Sequence, residues 1–500
     1  MTYTLHTGDC RDVMATLPAE SVDAIVCDPP YGLSFMGNGW DHGVPGVDFW
    51  VEALRVLKPG GHLIAFGGTR TYHRLAVAIE DAGFEVRDCL MWLYGSGFPK
   101  SLDVSKAMDK QKDNREEIAR VVHWLENARI KACVSRAEVE THFGTVNIGQ
   151  GFFTVTEGSK PRVPTWNQWL ELKKLLSLND EMDKEVWRLN GLKGKPSENF
   201  KRREVIGHHD EKSTPGGFGE NRFSFTTKAI TAPNTELAKE WQGWGTALKP
   251  AYEPAILARK PLRGTVSDNV AQWGTGGLNI DGCRVGDEVL SEQKAGQAKI
   301  GTFERHNMIT PQRVGRWPAN VILDEEAAAA LDEQSGVTKS GKPGRRRESS
   351  GLFGLGGDGG LNVSHGDSGG ASRFFYTAKA SRSEREIGLQ GGEKKLSGVK
   401  ALRDNDRANH PRANHHPTVK PIALMRYMIR LVAPRGAVVL DPFMGSGSTG
   451  CAAMVEGMQF IGIDITPEYI DIARRRLAWW SCQLDNTATM ELDNEEEPTP

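Results

Sequence analysis

Short apolar runs alternate with amphipathic stretches at both ends of this chain, while the middle keeps neither pattern for long. Near the start, Tyr3 to Thr7 predicts a strand, Arg11 to Leu17 a short helix, and the mostly apolar Val22 to Cys27 a buried strand. Val47 to Leu57 has helical spacing and ends at Lys58-Pro59-Gly60-Gly61, where proline and glycine interrupt the pattern. His62 to Phe66, Thr71 to Ala82 and Phe84 to Leu93 then read as strand, helix and strand. The rhythm returns late in the chain. Ile422 to Leu431 predicts a helix, Ala437 to Leu440 a strand, Ser448 to Glu456 a helix, Gln459 to Ile463 a strand and Pro467 to Trp480 a helix. Strands alternating with helices imply a parallel sheet covered by helices.

Neither end makes a complete domain, so the economical arrangement is one α/β sheet, doubly wound and mostly parallel, assembled from both chain ends around a large insertion. The division this implies is 1–104, a charged, helix-prone 105–240, a partial return to the core over 241–334, a Gly/Ser/Arg-rich 335–410, a second core half at 411–482, and an acidic tail at 483–500 expected to be disordered. Arg115 to Ala128 and Trp166 to Leu178 are amphipathic, and Tyr252 to Lys260 is apolar enough to be another core strand.

Composition narrows this a little. The net charge of −2 does not announce a nucleic-acid binder, so a phosphate-binding surface would have to be local. Basic clusters occur at Lys201-Arg202-Arg203 and from Lys342 to Arg347, each read most simply as a solvated loop. Seven scattered cysteines without a CxxC pair argue against a metal site and for a reducing compartment. With no signal peptide and no apolar run of the ~18 residues a membrane span needs, the expectation is a cytoplasmic protein with no membrane contact.

Two short motifs carry chemistry. The strand Val22 to Cys27 runs into Asp28-Pro29-Pro30-Tyr31. An amino group on an aromatic ring is a poor nucleophile because its lone pair is delocalised. A site that accepts hydrogen bonds from its two protons frees that pair for attack. Asp28 offers a charged acceptor, the Pro29 carbonyl a second one, Pro29 and Pro30 stiffen the loop, and Tyr31 offers a ring for stacking. By itself the tetrapeptide reads equally well as a strand-ending turn. The second motif, Asp441-Pro442-Phe443-Met444-Gly445-Ser446-Gly447, leaves a strand and opens a helix. Its glycines allow close backbone approach, and a helix N-terminus favours a carboxylate. No lysine follows them, which disfavours a nucleotide-phosphate loop. Asp464, at the end of the next strand, suits ribose hydroxyls as in other doubly wound cofactor sites.

Taken in this order, the two motifs resemble the permuted β group of DNA amino-methyltransferases, including its phage and prophage members. His416-Pro417-Thr418-Val419-Lys420-Pro421 looks like the segment preceding the glycine motif, and Gly8-Asp9 like its N-terminal acid. Leu90 to Tyr94, Gly95 to Ser101, Trp244 to Pro250, Arg316 to Asn320 and Arg373 to Tyr376 are similar to further shared segments. The resemblance covers roughly 1–100 and 410–480. It implies a Rossmann-like fold binding S-adenosyl-L-methionine (SAM) through Asp9, Thr418, Lys420, Pro421, Asp441, Phe443, Gly445, Gly447 and Asp464. It further implies methyl transfer to a flipped base held by Asp28, Pro29, Pro30 and Tyr31, with Trp92 flanking that base. DNA is the implied partner, the helical insertion the candidate target-recognition region, and a homodimer is left open. The setting implied is a bacterial or phage-infected cell, within or outside a restriction-modification system.

Asp at the first position of the tetrapeptide leans toward N6 of adenine, with N4 of cytosine as the alternative. C5-cytosine chemistry lacks its cysteine nucleophile. A protein glutamine methyltransferase would carry Asn at that position and the reverse motif order, and a non-catalytic DNA-binding protein would not need these side chains intact.

Overall fold

A computed structural model describes residues 2–33, 43–97, 101–111, 114–144, 148–156, 161–192, 197–212, 225–290, 293–294, 299–300, 303–304, 309–310, 313–339, 344–345, 361–362, 367–378, 383–392 and 412–495. The chain divides into two compact units, 1–98 with 250–500, and 99–249. The first contains a nine-stranded sheet. Its strands in chain order are β1 (Tyr3–Thr7), β2 (Val22–Cys27), β3 (Leu57–Phe66), β4 (Glu85–Leu93), β5 (Tyr252–Arg259), β6 (Val321–Asp324), β7 (Tyr376–Ala378), β8 (Val438–Asp441) and β9 (Gln459–Asp464). They lie side by side as β1-β9-β8-β2-β3-β5-β4-β6-β7. Pairing is parallel everywhere except at β5, which runs antiparallel to both neighbours. The mostly parallel sheet built from both chain ends is therefore present, with the insertion between β4 and β5.

Alternation along the central strands divides the core between two faces. Ala24, Val26, Ile64, Phe66, Ala255 and Leu257 pack with the helices Ile422–Val432 and Ser448–Val455. Their neighbours Ile25, Cys27, Leu63, Ala65, Ile256 and Ala258 pack with Cys10–Thr16, Val47–Val56 and Tyr72–Asp81. A sheet covered on both faces needs strands apolar at nearly every position, which is why β2 and β3 read as continuous runs.

Lys58-Pro59-Gly60-Gly61 corrects the sequence reading. It does end the helix, but β3 already begins at Leu57, and the four residues form a bulge between the pairs Val22–Leu57 and Ala24–His62. Gly60 sits at φ +73°, and a Cβ there would lie 2.4 Å from the Asn269 amide. The interruption thus bends a strand instead of separating two elements. The bulge also aims Lys58 Nζ at Asp23 Oδ1 (2.6 Å), while Asp23 Oδ2 accepts from the Val438 N–H (2.8 Å).

Two further expectations change. Tyr376–Ala378, within the segment expected to be loop, is the edge strand β7, its tyrosine ring stacked on Tyr427 at 4.1 Å. The last helix runs Pro467–Glu495, well into the expected disordered tail, because neither glycine nor proline intervenes between Pro467 and Pro498. Residues 496–500 lie outside the described residues, as do 98–100 of the Gly95 to Ser101 segment and most of 340–410.

The unit 99–249 has its own small core. Val121, Leu125, Trp169, Leu172, Val186 and Leu189 pack together from the helices Arg115–Lys131, Trp166–Leu176 and Asp183–Leu192. The strands Val205–Lys212 and Phe225–Thr231 form an antiparallel pair. Buried Arg203 reaches Asp109 at 2.5 Å, and Asp109 also receives the backbone N–H groups of Asn234 and Thr235. Among the described residues, no helix is long and apolar enough to cross a membrane.

Asp23 fastens the bulge of β3 and the start of β8 to β2. Asp23→Ala removes the acceptor of Lys58 and of the half-buried Val438 N–H, and is expected to lower unfolding stability by about 1–3 kcal/mol in urea titrations.

Candidate active site

The connections after β2 and β8 leave these adjacent strands in opposite directions, toward β3 on one side and β9 on the other. That makes their carboxyl ends a topological switch point, where open α/β sheets leave a crevice. The two motifs occupy these ends: Asp28 directly follows β2, and Asp441 closes β8.

On the β8 side the glycine loop is tightly held. Asp441 is buried, accepting from the Thr449 hydroxyl (2.5 Å) and the Phe443 N–H (3.0 Å). Burial pushes its carboxyl up to about 7 despite those donors. Gly445 (φ +53°) donates its N–H to Asp464 Oδ2 (2.9 Å), and Thr466 N–H reaches Oδ1 (2.7 Å). Burial raises the Asp464 carboxyl, and these two donors partly offset it. Gly447 (φ +80°) is the N-cap of Ser448–Val455 and offers no side-chain cap, so the first-turn N–H groups of that helix are left for another acceptor. A Cβ on Gly445 would lie 2.6 Å from His416 Nε2, so only glycine fits there. Phe443 lies against Phe49 and Trp50, with both ring separations at 6.1 Å. These residues suit a ligand carrying a carboxylate and a hydroxylated ring.

Two of the expected cofactor residues have other partners. Asp9 caps the helix Cys10–Thr16, and both of its oxygens are held by Arg11, whose side-chain bonds keep the carboxyl below its usual range. Its neighbour Gly8 nevertheless donates to the Asp464 carbonyl (3.0 Å), so Asp9 stands beside the glycine loop. Thr418 is exposed, its carbonyl taken by His416 Nδ1. Pro421 caps the helix Ile422–Val432.

On the β2 side the tetrapeptide forms a charged cluster. Tyr31 OH lies 2.8 Å from Asp28 Oδ1 and 3.1 Å from Glu253 Oε2. Lys420 Nζ donates to Asp28 Oδ2 (2.6 Å) and Tyr31 OH (3.1 Å), and it lies 3.1 Å from Glu253 Oε2. It also sits 4.9 Å from the Phe66 ring centre and 5.5 Å from that of Tyr31. Burial alone would depress the lysine, but Asp28 and Glu253 outweigh it and keep the ammonium charged. Burial, then Asp28 and Glu253, hold the Tyr31 phenol well above its ordinary value. Thr71 Oγ1 donates to the Tyr31 carbonyl (2.7 Å) and fixes the loop after Pro29 and Pro30. The tyrosine expected as a stacking ring is thus anchored through its hydroxyl, and the lysine expected against the cofactor bridges two carboxylates. Trp92 pairs across the sheet with Glu253, half-buried against Tyr94 (5.4 Å), and its indole N–H has no partner among the described residues.

Three contributors had gone unread. Glu253 is the second residue of β5, in Glu253-Pro254, an acid before proline near a strand end like Asp28-Pro29 itself. Arg476, buried in the last helix, donates to the Ser446 carbonyl (2.6 Å), and it falls on the same face as Ala473 and Leu477. Arg385 binds the Asn414 and His416 carbonyls, bracing the segment that carries Lys420 from a region whose composition signalled only loop. His416 packs edge-on against Tyr469 (4.5 Å), and burial pushes its imidazole down to about 4.

Comparison with known proteins agrees with this architecture. A family model described as DNA methylase matches residues 324–475, which include the edge strand β7, Lys420 and the whole glycine loop. Over these residues the chain is similar to the N6-adenine/N4-cytosine DNA methylase family. Similar proteins include the type II methyltransferase M2.DpnII of Streptococcus pneumoniae, 49% identical over 13% of this chain and 24% of its own length. The DNA adenine methyltransferase YhdJ of Escherichia coli (strain K12) is 49% identical over 13% and 21%, and the type II methyltransferase M.Cfr9I of Citrobacter freundii 33% identical over 21% and 33%. The chain therefore spans at most a third of the length of those relatives. Among solved structures, M1.HpyAVI aligns over 95% of this chain and 98% of its own at 11% identity, with a TM-score of 0.32. The PvuII DNA methyltransferase (cytosine-N4-specific) aligns over 95% and 86% at 11% identity and 0.34, scores too low to carry an argument.

Asp441 gives the protein a pH signature. A carboxyl raised from 3.8 to about 7 contributes stability that is full below its unfolded value and lost as pH climbs through 7. Stability is expected to fall across pH 4–7, by at most about 1.4 kcal/mol per unit from this group. Asp441→Asn should flatten that part of the profile in thermal melts run at each pH.

Proposed function

We propose that this protein transfers a methyl group from SAM to the exocyclic N6 of adenine in DNA. The observation that carries the reading is the adjacency of Asp28 and the glycine loop at the ends of β2 and β8, one strand spacing apart. Bound there, SAM supplies an electrophilic methyl. The free N–H groups at the start of Ser448–Val455 suit its carboxylate, and Asp464 suits its ribose hydroxyls. Asp28 accepts one proton of the target amino group and the Pro29 carbonyl the other, which localises the nitrogen lone pair toward the methyl. Each carboxylate oxygen has two acceptor positions, so Asp28 can hold this group while keeping Tyr31 and Lys420. Tyr31 and Trp92 flank the flipped base.

The aspartate at position 28 and the similarity to an enzyme named as an adenine methyltransferase favour adenine. The family also covers N4 of cytosine, an amino group of the same geometry, and that is the second reading. The unit 99–249, with a core of its own, is the candidate reader of the DNA target.

Purified protein is expected to move labelled methyl from SAM to unmodified DNA, and base-resolution sequencing of that DNA identifies the atom. Asp28→Ala should reduce transfer at least about 100-fold while SAM binding survives in calorimetry. Gly445→Trp should abolish SAM binding with the sheet intact by circular dichroism. Unchanged transfer by the first variant would remove the central role given to Asp28.

A further inference from the structure

We infer that Glu253 is a positioning residue for methyl transfer: by sharing the Lys420 ammonium, it leaves Asp28 with negative charge for the incoming amino group. The inference rests on the function proposed above and adds a member to that site. Lys420 has three protons, and its neighbours are Asp28 Oδ2 at 2.6 Å, Glu253 Oε2 at 3.1 Å and the Tyr31 hydroxyl at 3.1 Å. The lysine side chain is 9% exposed, so water does little to screen these contacts. With two carboxylates and one ammonium the cluster carries one net negative charge. Without Glu253, Lys420 and Asp28 would form a neutral pair.

The reaction makes that difference matter. As the amino nitrogen bonds to the methyl carbon, the carbon–sulfur pair stays with sulfur, so positive charge passes from sulfur to nitrogen. A proton then leaves that nitrogen for Asp28 or water. A net negative acceptor stabilises the nitrogen as the charge develops, whereas a neutral ion pair does so far less.

Glu253 is suitably fixed for this task. It lies on β5, the strand antiparallel to β3 and β4, and pairs with Trp92. Tyr94 also faces it, the phenol raised first by burial and then by Glu253. Lys420, Asp28, Tyr31 and Tyr94 are the titratable groups around it. Because Glu253 reaches Asp28 only through Lys420 and Tyr31, its effect is on charge and placement rather than on the base itself.

The test uses the full chain, methyl-labelled SAM and genomic DNA from a bacterial strain without DNA methylases. Initial rates at saturating SAM are compared with SAM affinity by calorimetry and with Tm. Glu253→Gln keeps the shape and removes the charge, and should slow transfer about 10- to 100-fold with little change in SAM affinity. Glu253→Asp, which keeps the charge, should recover part of the rate even if both variants lower Tm. Adding Lys420→Met to Glu253→Gln restores the net negative charge, so the double variant should be faster than Glu253→Gln alone. A wild-type rate in Glu253→Gln, or losses that simply multiply in the double variant, would overturn the inference while leaving the function standing. A wild-type chain that binds SAM and transfers nothing to DNA would remove both.

Discussion

The nine-stranded sheet turns on one parallel strand pairing, Ala24 with Val439 and Ile25 with Leu440. It joins segments separated by more than four hundred positions of chain, and Asp23 holds the seam by accepting from Val438. Without it the two terminal halves would each expose an apolar strand edge and neither would close a core. The same pairing sets the order of the sheet on either side, and hence the reversal of winding at which both motifs emerge. Contacts of such sequence separation cost loop entropy before they return anything, so the seam should form late relative to the local units at each end.

Around that seam the protein places cations where an apolar core would normally exclude them. Lys420 braces the loop after β2, and Arg476 braces the loop after β8. Burying a charge is expensive unless partners surround it, and here the partners are the functional loops themselves. The desolvation cost therefore holds acceptors at fixed positions before any ligand arrives. Stability and preorganisation draw on the same contacts.

Much of the sheet was legible because strands buried on both faces leave unbroken apolar runs, and helices beside them leave a 3.6-residue stripe. The tetrapeptide and the glycine loop were legible because local chemistry selects their residues. The misread parts share one cause, a tertiary partner supplied from far away in sequence. Lys58-Pro59-Gly60-Gly61 reads as a break until Asn269 and β2 are set against it as a bulge. The contacts of Lys420 with Asp28 and Glu253 leave no mark in the sequence, because Glu253 arrives from β5. The short edge strand β7 had too few residues to show a period at all.

The point where the insertion leaves the sheet has a broader consequence. Tyr94, just past β4, donates its N–H to the Ala251 carbonyl, just before β5, at 3.0 Å. Departure and return are thus adjacent rungs of one antiparallel ladder, and residues 99–249 are, to the sheet, a single hairpin turn of unusual length. Loop-closure entropy grows only slowly with length, by about 0.6 kcal/mol per doubling. The segment can accordingly be lengthened, shortened or rebuilt while the strand register on either side of it stays as it is.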